Sequence, residues 1–461
     1  MEFLCKLSDA LWNPCLLVLF TVVGGYYTLR SGFFQLRFST WLRGTVGALR
    51  RGKSSPAKGL SQVQALCTAL ASTIGTGSIA GVATAIFLGG PGAVLWMWVS
   101  AFLGMMTGFA EKALAVRYRN KGPGGYFGGP MSYMEQGLCK PIGPILAHCF
   151  SLFVIPASLA GGALVQSNSI AASMHAAFGL SRGAVGLVTA ALAGVVIFGG
   201  IGRVGKLSER LVPIMAGLFL AAGAVCLTVQ RAALPGAFRA IWDGAFRPQA
   251  VFGGYGASLA LRYGVARGVF TNEAGLGSSA IAHAAADVES PGREGMWGMV
   301  EVFFATLVVC SVTALVILTS GVYVPAQALA AIRAGTVDEG MLGAPLSARA
   351  FSVTLGPLGA PLVALCLLLF AFTSLLGWSY YGERGLSHLA RSERFTSAFR
   401  WVFLICAVVG AVGDVTAVWQ LADLFNALMA LPNLTALLLL SPQVLEILDN
   451  LLYDRKRSNR G

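Results

Sequence analysis

The chain has 461 residues, 56% of them hydrophobic and only 11% charged, with a mean hydropathy of +0.71 and a formal net charge of +13. Soluble domains carry about a quarter charged residues, so this composition excludes one and points to a bilayer as the solvent. The positive balance needs no nucleic acid, because basic loops beside anionic lipid account for it.

A bilayer-spanning helix needs about 20 apolar residues at about 1.5 Å rise each. Charge-free windows of that size predict eleven spans, at 11–29, 64–87, 92–110, 145–170, 183–200, 211–229, 248–266, 302–320, 361–381, 397–413 and 421–440. The first has a weakly charged leader, no small-residue cleavage site and basic residues after it, so it reads as a retained helix rather than a removable signal. The last two are the least distinct, with Arg400 at one start and Asp414 and Asp423 near the ends.

An odd number of spans puts the termini on opposite sides. With the N-terminus outside, 26 of the 33 Lys and Arg residues fall in inner segments, the orientation that the positive-inside rule favours. The expected location is therefore the plasma membrane, multi-pass, with a cytoplasmic tail. Nine cysteines are scattered without a C-x-x-C, the four histidines have no metal spacing, and His148 and His175 have no evident catalytic partners. Neither an enzyme nor a bound cofactor is expected.

The second span lies in a run of 52 residues, between Lys58 and Glu111, without a charge, and near the start of that run sits ASTIGTGSIAG at 71–81. Gly75, Gly77 and Gly81 imitate a dinucleotide fingerprint, but that motif needs a strand–helix unit in a soluble domain. GGIGRVGKL at 199–207 imitates a phosphate loop, but Leu207 stands where Ser or Thr is required. Two membrane accounts remain for 71–81. Gly77 and Gly81 form a G-x-x-x-G contact motif, or three glycines within seven residues unwind the helix. Each glycine costs about 1 kcal/mol of helix preference, while Ser72, Thr73, Thr76 and Ser78 offer hydroxyls to the freed backbone.

The span near 248–266 favours the second account. It has 14 charge-free residues between Arg247 and Arg262, and Gly253, Gly254 and Gly256 interrupt it. It opens the last five spans as 64–87 opens the five before it, and two sets of five are inverted in the membrane. Weak helices at matching places in inverted halves point to a transporter site. Further on, Phe370, Thr373, Ser374, Gly377, Trp378 and Tyr381 recur at helical spacing and form one stripe.

GTGSIAGVATAI (75–86), GGPGAVLWMW (89–98), GGPMSYMEQGL (128–138), VQSNSIA (165–171), RGVFTNEAGLGSSAIAHAAA (267–286) and GWSYYGE (377–383) together resemble the alanine or glycine:cation symporters, carriers that share the leucine-transporter fold. The resemblance implies an all-α integral membrane fold of about eleven transmembrane helices, a peripheral first helix plus a five-plus-five inverted repeat with two broken helices. The corresponding boundaries are 1–58 for the peripheral helix and linker, 59–230 and 246–441 for the repeats, and 442–461 for the tail. It implies sodium-coupled symport of alanine or glycine, with a proton-coupled carrier or exchanger of the same fold as the alternative.

By the same resemblance the amino-acid carboxylate falls to Gly75, Thr76 and Gly77, consistent with the preference of free N–H groups for anions, and the ammonium to Gly253 and Gly254. Gln166 is a substrate contact and Trp378 a pocket wall. Sodium falls to Thr373, Ser374 and the backbone oxygens of Ala71 and Ile74. Ser78 stands where the family pattern has Asn, which favours one sodium rather than two. Glu111, Glu273 and Glu301 are expected at the inner surface, with no proton-transfer role assigned.

Overall fold

The computed structural model describes residues 7–8, 10–51, 60–122, 125–246, 256–288, 290–334, 336–337, 342–390 and 392–458. Nearly all of them are helical. After a π-helical turn at Leu11–Leu16 come α1 (Leu17–Arg30), α2 (Phe38–Arg51), α3 (Gln62–Thr73), α4 (Ala80–Gly89) and α5 (Ala93–Arg117). A short antiparallel hairpin, β1 (Asn120–Gly122) and β2 (Gly125–Phe127), leads to α6 (Pro130–Gly137). A kinked helix follows, made of α7 (Ile142–Ala157), a π segment and α8 (Val165–Phe178), and then α9 (Arg182–Ile197), α10 (Gly200–Val229) and α11 (Leu234–Phe246).

The second half holds α12 (Gly256–Asn272), α13 (Ser278–Ala284), then α14 (Pro291–Val302) joined through a π segment to α15 (Ser311–Thr319). It continues with α16 (Pro325–Ala334), α17 (Ala344–Leu355), α18 (Gly359–Ala390), α19 (Glu393–Val412), α20 (Val415–Leu439) and α21 (Ser441–Ser458). Among the described residues, seven helices are long and apolar enough to cross a membrane: 93–117, 142–178, 200–229, 291–319, 344–390, 393–412 and 415–439. Shorter apolar helices at 17–30, 80–89 and 182–197 accompany them.

Local chemistry fixes the ends that matter. Ser61 and Gln64 close a reciprocal capping box on α3, with Ser61 Oγ accepting from Gln64 N at 3.1 Å. Asp414 starts α20 by accepting from Ala417 N at 2.8 Å, so its charge caps a span instead of shortening it. In the interior α5 lies against α12 and α14. Gly108 and Gly298 let two backbones meet there, since a Cβ on Gly108 would stand 3.1 Å from the Gly298 carbonyl oxygen.

Gly253 and Gly254 lie outside the described residues; α12 runs unbroken from Gly256 to Asn272. After α12 the backbone turns sharply at 273–277, where Glu273, Gly275 and Gly277 have φ of 54°, 91° and 79°. Arg182, Arg262 and Arg267 line one cavity.

Candidate functional site

The stretch 71–81 is a broken helix. Ile74 leaves the helical conformation at ψ 67°, Gly75 is extended, and a single 3₁₀ turn at Thr76–Ser78 leads into α4. The whole break is buried. Ser78 N donates to the Gly75 carbonyl and Ile79 N to that of Thr76, both at 3.2 Å. Thr313 Oγ1 and Ser347 Oγ reach the carbonyls of Ser78 and Ile79 at 2.7 and 3.0 Å. Side chains from distant helices thus satisfy backbone groups that the lost helix leaves free, as a membrane interior requires.

Gln166 on α8 meets the break directly. Its Oε1 accepts from Thr76 N at 3.3 Å, while its Nε2 donates to the Gly161 carbonyl at 3.1 Å. The glycines permit this closeness: a Cβ on Gly75 would lie 2.9 Å from Ser374 Oγ, and one on Gly77 would lie 2.7 Å from Thr271 Oγ1. Overpacking of that kind costs about 1–3 kcal/mol. The hydroxyls of Thr76 and Ser78 are buried without a hydrogen-bond partner, so the break presents two unused polar groups.

The α18 stripe faces the same place, and Phe370, Thr373, Ser374, Gly377, Trp378 and Tyr381 are all buried. Ser374 Oγ donates to the Ser72 carbonyl at 2.8 Å, and Tyr381 Oη shares a 2.6 Å hydrogen bond with Ser72 Oγ. Thr373 Oγ1 lies 3.4 Å from the Ala71 carbonyl oxygen and also bonds back to Leu369 and Phe370 at 2.9 and 3.1 Å. Ile74 is buried at the end of α3, its N–H bonded to Leu70 at 2.8 Å. The structure therefore brings Thr373 and Ser374 to α3 carbonyls, with Ser72 a nearer neighbour of Ser374 than the expected set included.

Trp378 meets the π segment between α7 and α8. It packs against the backbone of Gly162 and edge-on to Tyr381, with ring centroids 5.7 Å apart. It does not line the cavity described next.

That cavity, about 580 Å³, is lined from α4, α8, α12 and α20, including Thr84, Asn168, Arg267, Trp419 and Asp423. Arg267 grips Asp423 with two hydrogen bonds, of 2.9 and 2.7 Å, and lies over the Trp419 ring at 4.9 Å. Phe270 packs against Trp419 with tilted rings 5.0 Å apart and lies next to Gly77. A layer of Arg267, Asp423, Trp419 and Phe270 thus stands between the cavity and the break. Beyond it, Asn426 on α20 is buried with both amide atoms unpartnered, near Gly161.

Sequence reasoning missed Phe270, Thr271, Asp423 and Asn426 as site residues. The VFTN of 269–272 was visible inside the motif at 267–286, whereas Asp423 and Asn426 carried no local signal.

A helical chain with several membrane-crossing helices and a buried helix break facing a polar stripe defines a multi-pass membrane transporter. The chain belongs to the sodium:alanine symporter family, whose sequence model matches residues 1–460. It is 40% identical over 436 residues to the sodium/alanine symporter AgcS of Methanococcus maripaludis, covering 94% of this chain and 93% of that protein. It is 37% identical to the Bacillus subtilis protein named "Probable sodium/glutamine symporter GlnT", covering 98% and 90%. Its fold resembles that of a mutant manganese transporter from Eremococcus coleocola, with a TM-score of 0.52 at 13% identity over 84% of this chain and 78% of the other. The family consists of transporters, not enzymes.

Proposed function

We propose that this protein carries a small neutral amino acid, alanine or glycine, into the cell together with sodium by alternating access. One observation carries the reading: the break at 74–79 is buried against Gln166 and the Thr373–Ser374 stripe and has unused hydroxyls at Thr76 and Ser78. Neutral oxygens of Thr373, Ser374 and the Ala71 and Ile74 carbonyls suit a hard monovalent cation. The backbone N–H groups at Gly75, Thr76 and Gly77, that of Thr76 held by Gln166 Oε1, suit a carboxylate. Gln166 orients the substrate and Trp378 backs the pocket. In the same reading the ammonium falls to Gly253 and Gly254.

The working architecture is a peripheral helix followed by two inverted five-helix repeats, 59–230 and 246–441, in the plasma membrane with the N-terminus outside. Sodium bound at α18 holds the unwound part of the second span in the shape that receives the amino acid. One charge moved through 100 mV supplies about 2.3 kcal/mol, enough for roughly fiftyfold accumulation at about 1.4 kcal/mol per tenfold.

The size of the amino acid is tested by competition. Against labelled alanine in proteoliposomes, excess alanine or glycine is expected to block uptake and glutamine to leave it unchanged. Glutamine competing as well as alanine would contradict the assignment.

A further inference from the structure

On the far side of the break from the cavity lies a set of ionisable side chains that the proposed cycle does not use. Glu111 and Lys112 come from α5, Glu273 from the turn after α12, His283 from α13, and Glu294 and Glu301 from α14. Instead of lying at a surface, as expected for Glu111, Glu273 and Glu301, all six are at most 1% exposed. Lys112 Nζ is 3.2 Å from Glu111 Oε2 and 3.4 Å from Glu301 Oε2. His283 stands between two carboxylates, with Nδ1 2.6 Å from Glu294 Oε1 and Nε2 3.3 Å from Glu301 Oε2. Glu273 Oε2 accepts from Ser278 Oγ at 2.5 Å.

The charges do not balance. Four carboxylates face one ammonium and one imidazole, so even with His283 protonated two negative charges are in excess. Neighbouring elements do not repair this. Tyr27 of α1, Tyr133 of α6, Tyr381 of α18 and Asn433 of α20 are neutral, and α3 carries no charge. Arg43 of α2 is exposed, and Arg117 pairs with Glu446 of α21 at the surface. Arg119, bonded to the Ala286 and Val288 carbonyls, faces both Glu294 and Asp287, and counting Arg119 together with Asp287 leaves the excess of two unchanged.

An uncompensated buried charge costs several kcal/mol, and a carboxylate avoids that cost by taking a proton. Glu111 has no need of one, since Gly275 N, Gly277 N, Asn433 Nδ2 and Lys112 all donate to it. Glu301 Oε2 is shared between Lys112 Nζ and His283 Nε2, while Oε1 of Glu301 and Oε2 of Glu294 are buried without a hydrogen-bond partner. The unused acceptors gather around His283.

We propose that this network is a proton-binding site, in which the Glu294–His283–Glu301 chain holds an exchangeable proton. His283 rides on α13, the short helix after the second break, and any movement of α13 against α14 parts both of its carboxylate contacts. The proton comes from water when α13 moves and returns to water the same way, bound meanwhile to a carboxylate oxygen of Glu294 or Glu301. Its link to transport rests on the carrier cycle proposed above, while its existence does not.

Infrared titration of purified full-length protein reads the site without transport. A protonated-carboxyl stretch is expected at neutral pH in the wild type and is expected to be lost in Glu301→Gln. Should that variant fail to elute as a single species, Glu294→Gln supplies the same comparison. In proteoliposomes, sodium-driven alanine uptake is expected to vary on the order of tenfold as the pH crosses the titration range, equivalent to about 1.4 kcal/mol, and the variant's profile is expected to be flat. A wild type without the carboxyl band at neutral pH, or a band and pH profile unchanged in both variants, would overturn the proposal. If the wild type shows the band but carries no alanine, the carrier reading fails and the proton site stands.

Discussion

Replacing Thr373 or Ser374 by alanine is expected to raise the sodium concentration for half-maximal uptake by roughly 10- to 100-fold. Each change removes one oxygen ligand, and polar contacts to a charged group contribute about 1.5–3 kcal/mol, with each 1.4 kcal/mol worth tenfold. The fold is expected to tolerate the loss. Thr373 Oγ1 spends part of its bonding on the Leu369 and Phe370 carbonyls of its own helix, a back-bond that contributes little to stability. Ser374 is the sharper test, because its hydroxyl reaches across to the Ser72 carbonyl of α3. Uptake measured against sodium at fixed alanine reads the effect, and an unchanged half-saturation in both variants would remove sodium from this place.

The second large effect is on stability. Glu111→Ala is expected to destabilise the protein by about 3–5 kcal/mol, because it leaves three buried donors without their acceptor at about 1–3 kcal/mol each. Glu111 Oε1 holds the turn at 273–277 by accepting from Gly275 N and Gly277 N, both at 2.9 Å, and from Asn433 Nδ2 at 2.7 Å. That turn contains three left-handed residues, including the non-glycine Glu273, a conformation that persists only where its surroundings impose it. Removing the carboxylate frees three donors and leaves Lys112 with Glu301 alone. The midpoint of thermal unfolding in detergent is expected to fall on the order of 5–10 °C. Glu111→Gln, which keeps an acceptor oxygen, should fall less. Equal midpoints for the wild type and Glu111→Ala would show that the turn does not depend on this side chain.

The two breaks differ in how well the sequence announces them. At 74–79 the glycines and hydroxyl residues lie in an otherwise charge-free run, so the loss of helix preference is local and readable. At 273–277 the turn includes Glu273, and a charge in a membrane segment reads as a boundary. What offsets that charge is partly tertiary, since beside the Ser278 hydroxyl that donates to it stands Lys112 of α5, far along the chain. The glycine cluster at 253–256 stands out in the sequence instead because its signal is local.

The same distinction runs through the site. The α18 stripe was legible because Phe370 to Tyr381 repeat at helical spacing, and all of them are buried. The Arg267–Asp423 pair joins residues 156 positions apart, and Asp423 by itself looks like the ragged end of a span. Asn426 shows no pattern at all until α20 is placed beside Gly161.

Labelled alanine uptake into proteoliposomes, with and without an inward sodium gradient, tests the central claim most directly. Wild-type protein is predicted to accumulate alanine above the outside concentration with the gradient and only to equilibrate without it, while the Thr373→Ala, Ser374→Ala double variant loses the accumulation. Equal accumulation in sodium-free buffer, driven by a proton gradient alone, would contradict it.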